Sequence, residues 1–107
     1  AHGLGIGEAR FKFRDETGAT TDFTAPVVAA KVARVAPIAV DEVAFVASLT
    51  RLPVKVTLPA PSTMHFWRGS SFAESGVYQD ARAFYADLAA IYRAEIAALA
   101  AAGARYV

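Results

Sequence analysis

Polar and apolar residues alternate over Arg10-Phe11-Lys12-Phe13-Arg14, placing two phenylalanines on one face and three cations on the other. That period of two predicts a half-buried strand with a solvated basic face. Asp15-Glu16-Thr17-Gly18 supplies a turn, with Gly18 free to take a positive φ, and Thr20 to Thr24 reads as the return strand of a hairpin ended by Pro26. Upstream, Gly3-Leu4-Gly5-Ile6-Gly7 repeats glycine at alternate positions. A dinucleotide fingerprint needs a different glycine spacing between a strand and a helix, so this stretch is expected to be a plain loop.

From Val27 to Val40 the pattern points both ways: alanines favour helix and five valines favour strand, while Pro37 forbids a helix running through to Val40. Asp41 then reads as an N-cap with Glu42 in the first turn of a short helix, Glu42 to Leu49. Pro53 to Leu58 is short, β-branched and bounded by prolines, which predicts a buried strand. Ala60 to Val77 follows as a long polar and aromatic loop. Asp80 is the expected N-cap of a long helix from Ala81 to about Ala102, with Phe84, Leu88, Ile91, Tyr92, Ile96 and Leu99 as its apolar stripe. Asp80, Arg82, Asp87 and Arg93 mark the wet side, Gly103 is the C-cap glycine, and Ala104 to Val107 begins another strand. Strand, loop, helix, strand is a βαβ unit, which requires a parallel sheet.

Composition narrows the function classes. Of 107 residues, 55% are hydrophobic, but 25 of these are alanine, so few large side chains remain to build a core. A formal charge of +1 gives no support to a nucleic-acid binder or an anionic-membrane binder. With no cysteine, disulfides, thiolate metal sites and cysteine nucleophiles are excluded within the chain, and a reducing cytoplasm is the expected location. No apolar run reaches the roughly 18 to 20 residues of a membrane span. The chain opens on Ala1 without a basic, apolar leader or an initiator Met and stops at Val107 as an apolar run begins, so both ends read as cut.

No catalytic constellation is complete. Asp41 and Glu42 are explained by a helix start, His2 and His65 are too few for a zinc site, and Ser62 lacks a nucleophile-elbow context. The chemistry-bearing cluster is Pro59 to Gly69, at the carboxyl end of a predicted parallel strand, where α/β folds place their ligands. Ser62, Thr63, His65, Trp67 and Arg68 bring hydroxyls, an imidazole, an indole and a guanidinium together; an indole can stack a flat ligand and an arginine can hold a carboxylate. The plainer reading has Met64, Phe66 and Trp67 only sealing the core and Arg68 pairing with an acid. Lys55, in mid-strand, either reaches a polar site or snorkels to one end.

The run Leu52-Pro-Val-Lys-Val-Thr-Leu-Pro-Ala-Pro-Ser-Thr-Met-His-Phe-Trp67 resembles the catalytic barrel of cobalamin-independent methionine synthases. So do Val77-Tyr-Gln-Asp80, Phe84 to Ile96 and Ala101-Ala-Gly-Ala-Arg-Tyr-Val107. The likeness is strongest to short, single-barrel, methyltetrahydropteroyltriglutamate–homocysteine methyltransferase-like members, from about Pro37 to Val107. It implies an α/β fold in which residues 1–107 are a segment of a TIM-type (β/α)8 barrel, with a β-hairpin insertion at about 9–25 and βα units at about 38–107. The activity implied is transfer of a methyl group from methyltetrahydrofolate to a thiol such as homocysteine, in methionine synthesis. The family's zinc ion activates the thiol, and its ligands are expected outside this segment, so the segment alone is expected to be inactive. By position, Trp67 is similar to the tryptophan that stacks on the pterin ring, and Ser62 and Thr63 match the hydroxyl-bearing part of the same motif. His65 and Arg68 complete the expected substrate-binding set; no catalytic residue or metal ligand is assigned.

Two other readings stay open on the sequence. One is a uroporphyrinogen decarboxylase-like barrel of the same superfamily, which needs basic groups for substrate carboxylates and no zinc. The other is a non-catalytic module using the hairpin Phe11 to Phe23 as a contact surface, in a homo-oligomer. Small-molecule substrates, with neither nucleic acid nor membrane, are the expected partners.

Overall fold

The computed structural model describes residues 2–9 and 12–107, so Arg10 and Phe11, at the start of the first expected strand, lie outside the described residues. Strands β1 (His2–Glu8) and β4 (Thr24–Ala33) form an antiparallel pair, and between them β2 (Phe13–Arg14) pairs with β3 (Thr20–Thr21) as a small second ladder. Three helices follow: α1 (Val40–Leu49), the single turn α2 (Thr63–Phe66) and α3 (Ala81–Ala101), with a 3₁₀ turn at Gly69–Ser71. Strands and helices are thus mixed, and no closed barrel forms among the described residues.

The glycine-rich start is a strand rather than the expected loop. Glycine's poor β-propensity is overridden by what the strand lies against, since a side chain would meet backbone at Gly3 and would crowd neighbouring side chains at Gly5 and Gly7. A Cβ on Gly3 would meet the Ala30 carbonyl oxygen at 2.6 Å, one on Gly5 the Val27 side chain at 3.3 Å, and one on Gly7 the Arg68 guanidinium at 2.8 Å. The β1–β4 register breaks at Gly3, whose φ of 91° few other residues tolerate.

Pro26 does not end a strand either. The return strand is only Thr20–Thr21, and β4 starts at Thr24 and runs through Pro26 to Ala33, so the ambiguous stretch is β only as far as Ala33, irregular over 34–39, and helical from Val40. The outer edge of β4 is bridged by another segment at Val28, and no ladder partner pairs with Pro26 on that side, where a residue without N–H is tolerated.

Helix α3 matches its expected limits: the Asp80 carboxylate accepts from the Ala83 N–H at 2.8 Å, and Gly103 follows with a φ of 94°. Its buried face is Phe84, Leu88, Ile91, Glu95 and Leu99, while Ile96 is 45% exposed. The carboxylate of Glu95, not the Ile96 side chain, occupies the stripe. Asp87 is not simply wet, since it accepts from the Tyr78 hydroxyl at 2.8 Å.

Two apolar clusters result. One joins Val28 and Val32 of β4 to Phe72 and to Phe84, Leu88 and Ile91 of α3; the other gathers Ala39, Val43, Val56 and Leu99. A cavity of about 190 Å³ is lined by residues of both, including Val32, Leu58, Met64 and Leu88.

Helix α1 begins at Val40, one residue before the expected Asp41 cap, and the side chain at its N-cap, Ala39, makes no hydrogen bond to the helix. Glu95 of α3 instead fixes the segment leading into the helix: Oε1 accepts from the Ile38 and Ala39 N–H groups, each at 2.9 Å, and Oε2 from Arg34 Nε at 2.8 Å. Burial pushes the Glu95 carboxyl up, but the Ala39 N–H, the Arg34 guanidinium and the Ile38 N–H outweigh it and hold the group below its ordinary range.

The segment Pro53 to Leu58 forms no extended ladder. It meets the chain end through one parallel bridge, Lys55 with Tyr106, with Val56 N–H donating to the Tyr106 carbonyl at 2.9 Å. This is the parallel geometry expected across α3. The whole is a slab of 46 × 40 × 17 Å with a radius of gyration of 16.7 Å, against about 13 Å for a compact domain of this length.

Candidate functional site

The loop after Leu58 is less irregular than its sequence suggests. Pro59-Ala60-Pro61 leads into α2, whose turn closes through His65 N–H and Phe66 N–H donating to the Ser62 carbonyl at 3.0 and 2.8 Å. A second turn follows through the 3₁₀ segment to buried Phe72. Both ends of the loop are fixed. At its start the Tyr92 hydroxyl of α3 donates to the Pro59 carbonyl. At its end Val28 N–H donates to the Phe72 carbonyl and Glu74 N–H to the Val28 carbonyl, each at 2.9 Å. The loop therefore bridges α3 and β4, and its side chains are presented from an ordered frame.

Within that frame the five expected residues point to different neighbours. Trp67 is half-buried in an aromatic group, with ring centroids 4.8 Å from Phe23, 5.1 Å from Phe66 and 6.1 Å from Phe13. Phe13 and Phe23 are themselves edge-to-face at 5.5 Å, a favoured arrangement of ring quadrupoles. His65 turns the other way and packs, tilted, against Phe72 at 5.0 Å and Tyr85 at 5.9 Å. It lines a groove of about 640 Å³ with Ser70, Glu74, Gln79 and Asp80.

Arg68 lies against the glycine face of β1 at Gly7, and its Nε is buried with no hydrogen-bond partner. Ser62 is exposed at the N-cap position of α2 without capping it, and Thr63 is half-buried in the first turn. One loop thus carries all five, but their side chains do not converge on a single cavity. Lys55 is exposed and lines a small recess with Glu42, Val46 and Thr57.

Sequence reasoning missed two groups that tie α3 to the rest of the fold. Tyr78 accepts from the Val32 N–H at 2.9 Å while donating to Asp87, tying β4 to α3. Burial, with help from the Asp87 carboxylate and against the Val32 N–H, holds its phenol above the ordinary range. Glu95 is the other. A lone carboxylate, Glu95, in register with the apolar stripe Phe84, Leu88, Ile91 and Leu99 was the signal available for it.

A zinc ion does not fit the residues present. The chain has no cysteine, and among the described residues no group of three His, Asp or Glu side chains could hold a metal. Nor is any helix among the described residues long and apolar enough to cross a membrane.

Comparison with known proteins is decisive at the level of family. Residues 16–107 match the model of the cobalamin-independent synthase catalytic domain, a span containing β3, β4 and all three helices. The chain belongs to that family, which places it among methyltransferase catalytic domains. No curated protein and no solved structure shows significant similarity to it.

Proposed function

We propose that these residues form part of a (β/α)8 barrel that transfers a methyl group from methyltetrahydrofolate to a thiol such as homocysteine, in the cytoplasm. Within the family established above, the observation that carries the reading is the parallel bridge between Lys55 and Tyr106 on either side of α3. A loop bearing Trp67 leaves the carboxyl end of the first of these segments, where barrel enzymes bind substrate. The thin slab and its exposed apolar residues, Phe45, Leu49 and Leu52 among them, suit a layer completed by further βα units.

In this reading the indole of Trp67 stacks on the pterin ring of the donor, and Ser62, Thr63 and His65, carried by the same loop, reach the substrate once the loop is completed by the rest of the barrel. Arg68, with an unpartnered buried Nε, offers a donor to a substrate carboxylate. Zinc, which the family implies, is assigned to residues outside these 107, as is activation of the thiol.

The test is methyl transfer by the protein carrying this chain, with 5-methyltetrahydrofolate and homocysteine as substrates. Trp67→Leu is expected to raise KM for the folate roughly two- to tenfold with kcat little changed. Absence of methyl transfer, or an unchanged KM, would count against the proposal.

A further inference from the structure

The cavity of about 190 Å³ lies where the two apolar clusters meet. Its walls are Leu4 of β1, Val32 of β4, Leu88 and Ile91 of α3, and Leu58 and Met64, which flank the start of the loop that carries Trp67. Native interiors hold few voids larger than a water molecule, and the cost of an empty one rises with its volume. Nor can these walls simply close on one another, because each is fixed elsewhere. The Tyr78 hydroxyl ties β4 to α3, and the Tyr92 hydroxyl holds the Pro59 carbonyl against α3.

Water is a poor occupant, since an enclosed water needs roughly two to four polar partners. Only two polar side chains line the cavity, Glu95 and Tyr92, and both are engaged. The Glu95 carboxylate already takes the Ile38 and Ala39 N–H groups and Arg34 Nε, and the Tyr92 hydroxyl is committed to Pro59. The same lack of free polar groups rejects a charged or hydrogen-bonding guest, which would lose its hydration without replacement.

Size and access are also set by the walls. An apolar cavity of about 150 Å³ stays dry and accepts a benzene ring, so about 190 Å³ has room for about six to eight carbon atoms. Of the ten lining residues only Ile38 and Pro59 are exposed, which puts the opening between them. Met64, unbranched and half-buried, is the wall best able to adjust to the shape of a guest.

We propose that this cavity is a binding site for a small, uncharged, apolar molecule the size of a benzene ring, entering between Ile38 and Pro59. The site is separate from the one proposed for methyl transfer, because none of Ser62, Thr63, His65, Trp67 and Arg68 lines it.

The test titrates the full chain with benzene and follows methyl resonances by NMR. Saturable shifts are expected at Leu4, Val32, Leu58, Met64, Leu88 and Ile91, with a dissociation constant on the order of 0.1 to 1 mM. Leu58→Phe and Leu4→Phe each grow into the cavity from a different element, and in either variant, shown to be folded by circular dichroism, benzene should bind roughly tenfold or more weakly. Met64→Ala widens the cavity and should shift preference from benzene towards ethylbenzene by roughly threefold or more.

No saturable shift up to the solubility of benzene overturns the proposal. Shifts centred instead on exposed Leu49 and Leu52 do the same, since they would mark adsorption to the outer surface. Unchanged affinity in a folded filled variant, or an unchanged ratio of ethylbenzene to benzene in Met64→Ala, overturns it as well. The localisation of the shifts is read on the unmodified chain, so the proposal is tested even if a filled variant fails to fold.

Discussion

Glu95 offers the sharpest test of how this chain holds together. Its side chain is 2% exposed and its carboxylate takes three hydrogen bonds, from the Ile38 and Ala39 N–H groups at 2.9 Å and from Arg34 Nε at 2.8 Å. Glu95→Ala leaves two backbone donors and a largely buried guanidinium without an acceptor. Breaking a buried ion pair from one side costs about 3 to 5 kcal/mol, and a stranded buried N–H about 1 to 3 kcal/mol. Because the groups share one site these costs overlap, and a loss of about 3 to 5 kcal/mol in total is expected. That is a large share of the roughly 5 to 15 kcal/mol available to a small domain. Glu95→Gln keeps an oxygen for the two N–H groups and removes only the charge, so about half of that loss is expected.

Urea unfolding followed by circular dichroism measures both, with the midpoint shifting at constant slope. The pH dependence supplies a second check. Since folding holds this carboxyl below its ordinary value of about 4.5, its stabilisation is fully present above that pH and is lost as pH falls through the lower, folded value. In the Glu95→Gln variant that acid-side component should be missing. A Glu95→Gln midpoint equal to that of the unmodified chain, or an acid limb of the same steepness, would refute the hold of this remote carboxylate on the chain entering α1.

Two other substitutions probe the frame of the loop. Tyr78→Phe removes the hydroxyl shared by Val32 and Asp87, with an expected loss of about 1 to 3 kcal/mol and faster hydrogen exchange at the Val32 amide; unchanged exchange there would argue against the tie. Phe84→Ala empties a fully buried site against Phe72, Tyr78 and Tyr85, and about 3 to 5 kcal/mol should be lost in the same urea assay.

Local patterns in the sequence were enough where a single element settles its own structure. Helix α3 announces itself through the Asp80 cap, the apolar spacing and Gly103, and the structure agrees at both ends. The loop Pro59 to Gly69 was picked out by composition and position, and the family resemblance rested on the same residues. What was not legible is what depends on residues far apart in the chain. Glycines at 3, 5 and 7 look like a loop until Ala30, Val27 and Arg68 are placed against them. Asp41 looks like a cap, but the chain entering α1 at Ile38 and Ala39 is held by a carboxylate on a helix more than fifty residues later. The direction each loop side chain takes was equally hidden: nothing local tells His65 to face Tyr85 while Trp67 faces a hairpin more than forty residues upstream.

The flatness of the slab also sets how sharply the chain can unfold. Its accessible surface is 7507 Å², against about 5,700 Å² for a compact protein of 11.3 kDa and about 16,400 Å² for the extended chain. Folding therefore removes about four-fifths of the surface that a compact domain of the same mass would remove. Denaturant sensitivity and heat capacity of unfolding both scale with that difference. The transition is correspondingly shallower, and the stability curve flatter with temperature, than length alone would give. Every further layer laid against the slab would steepen both.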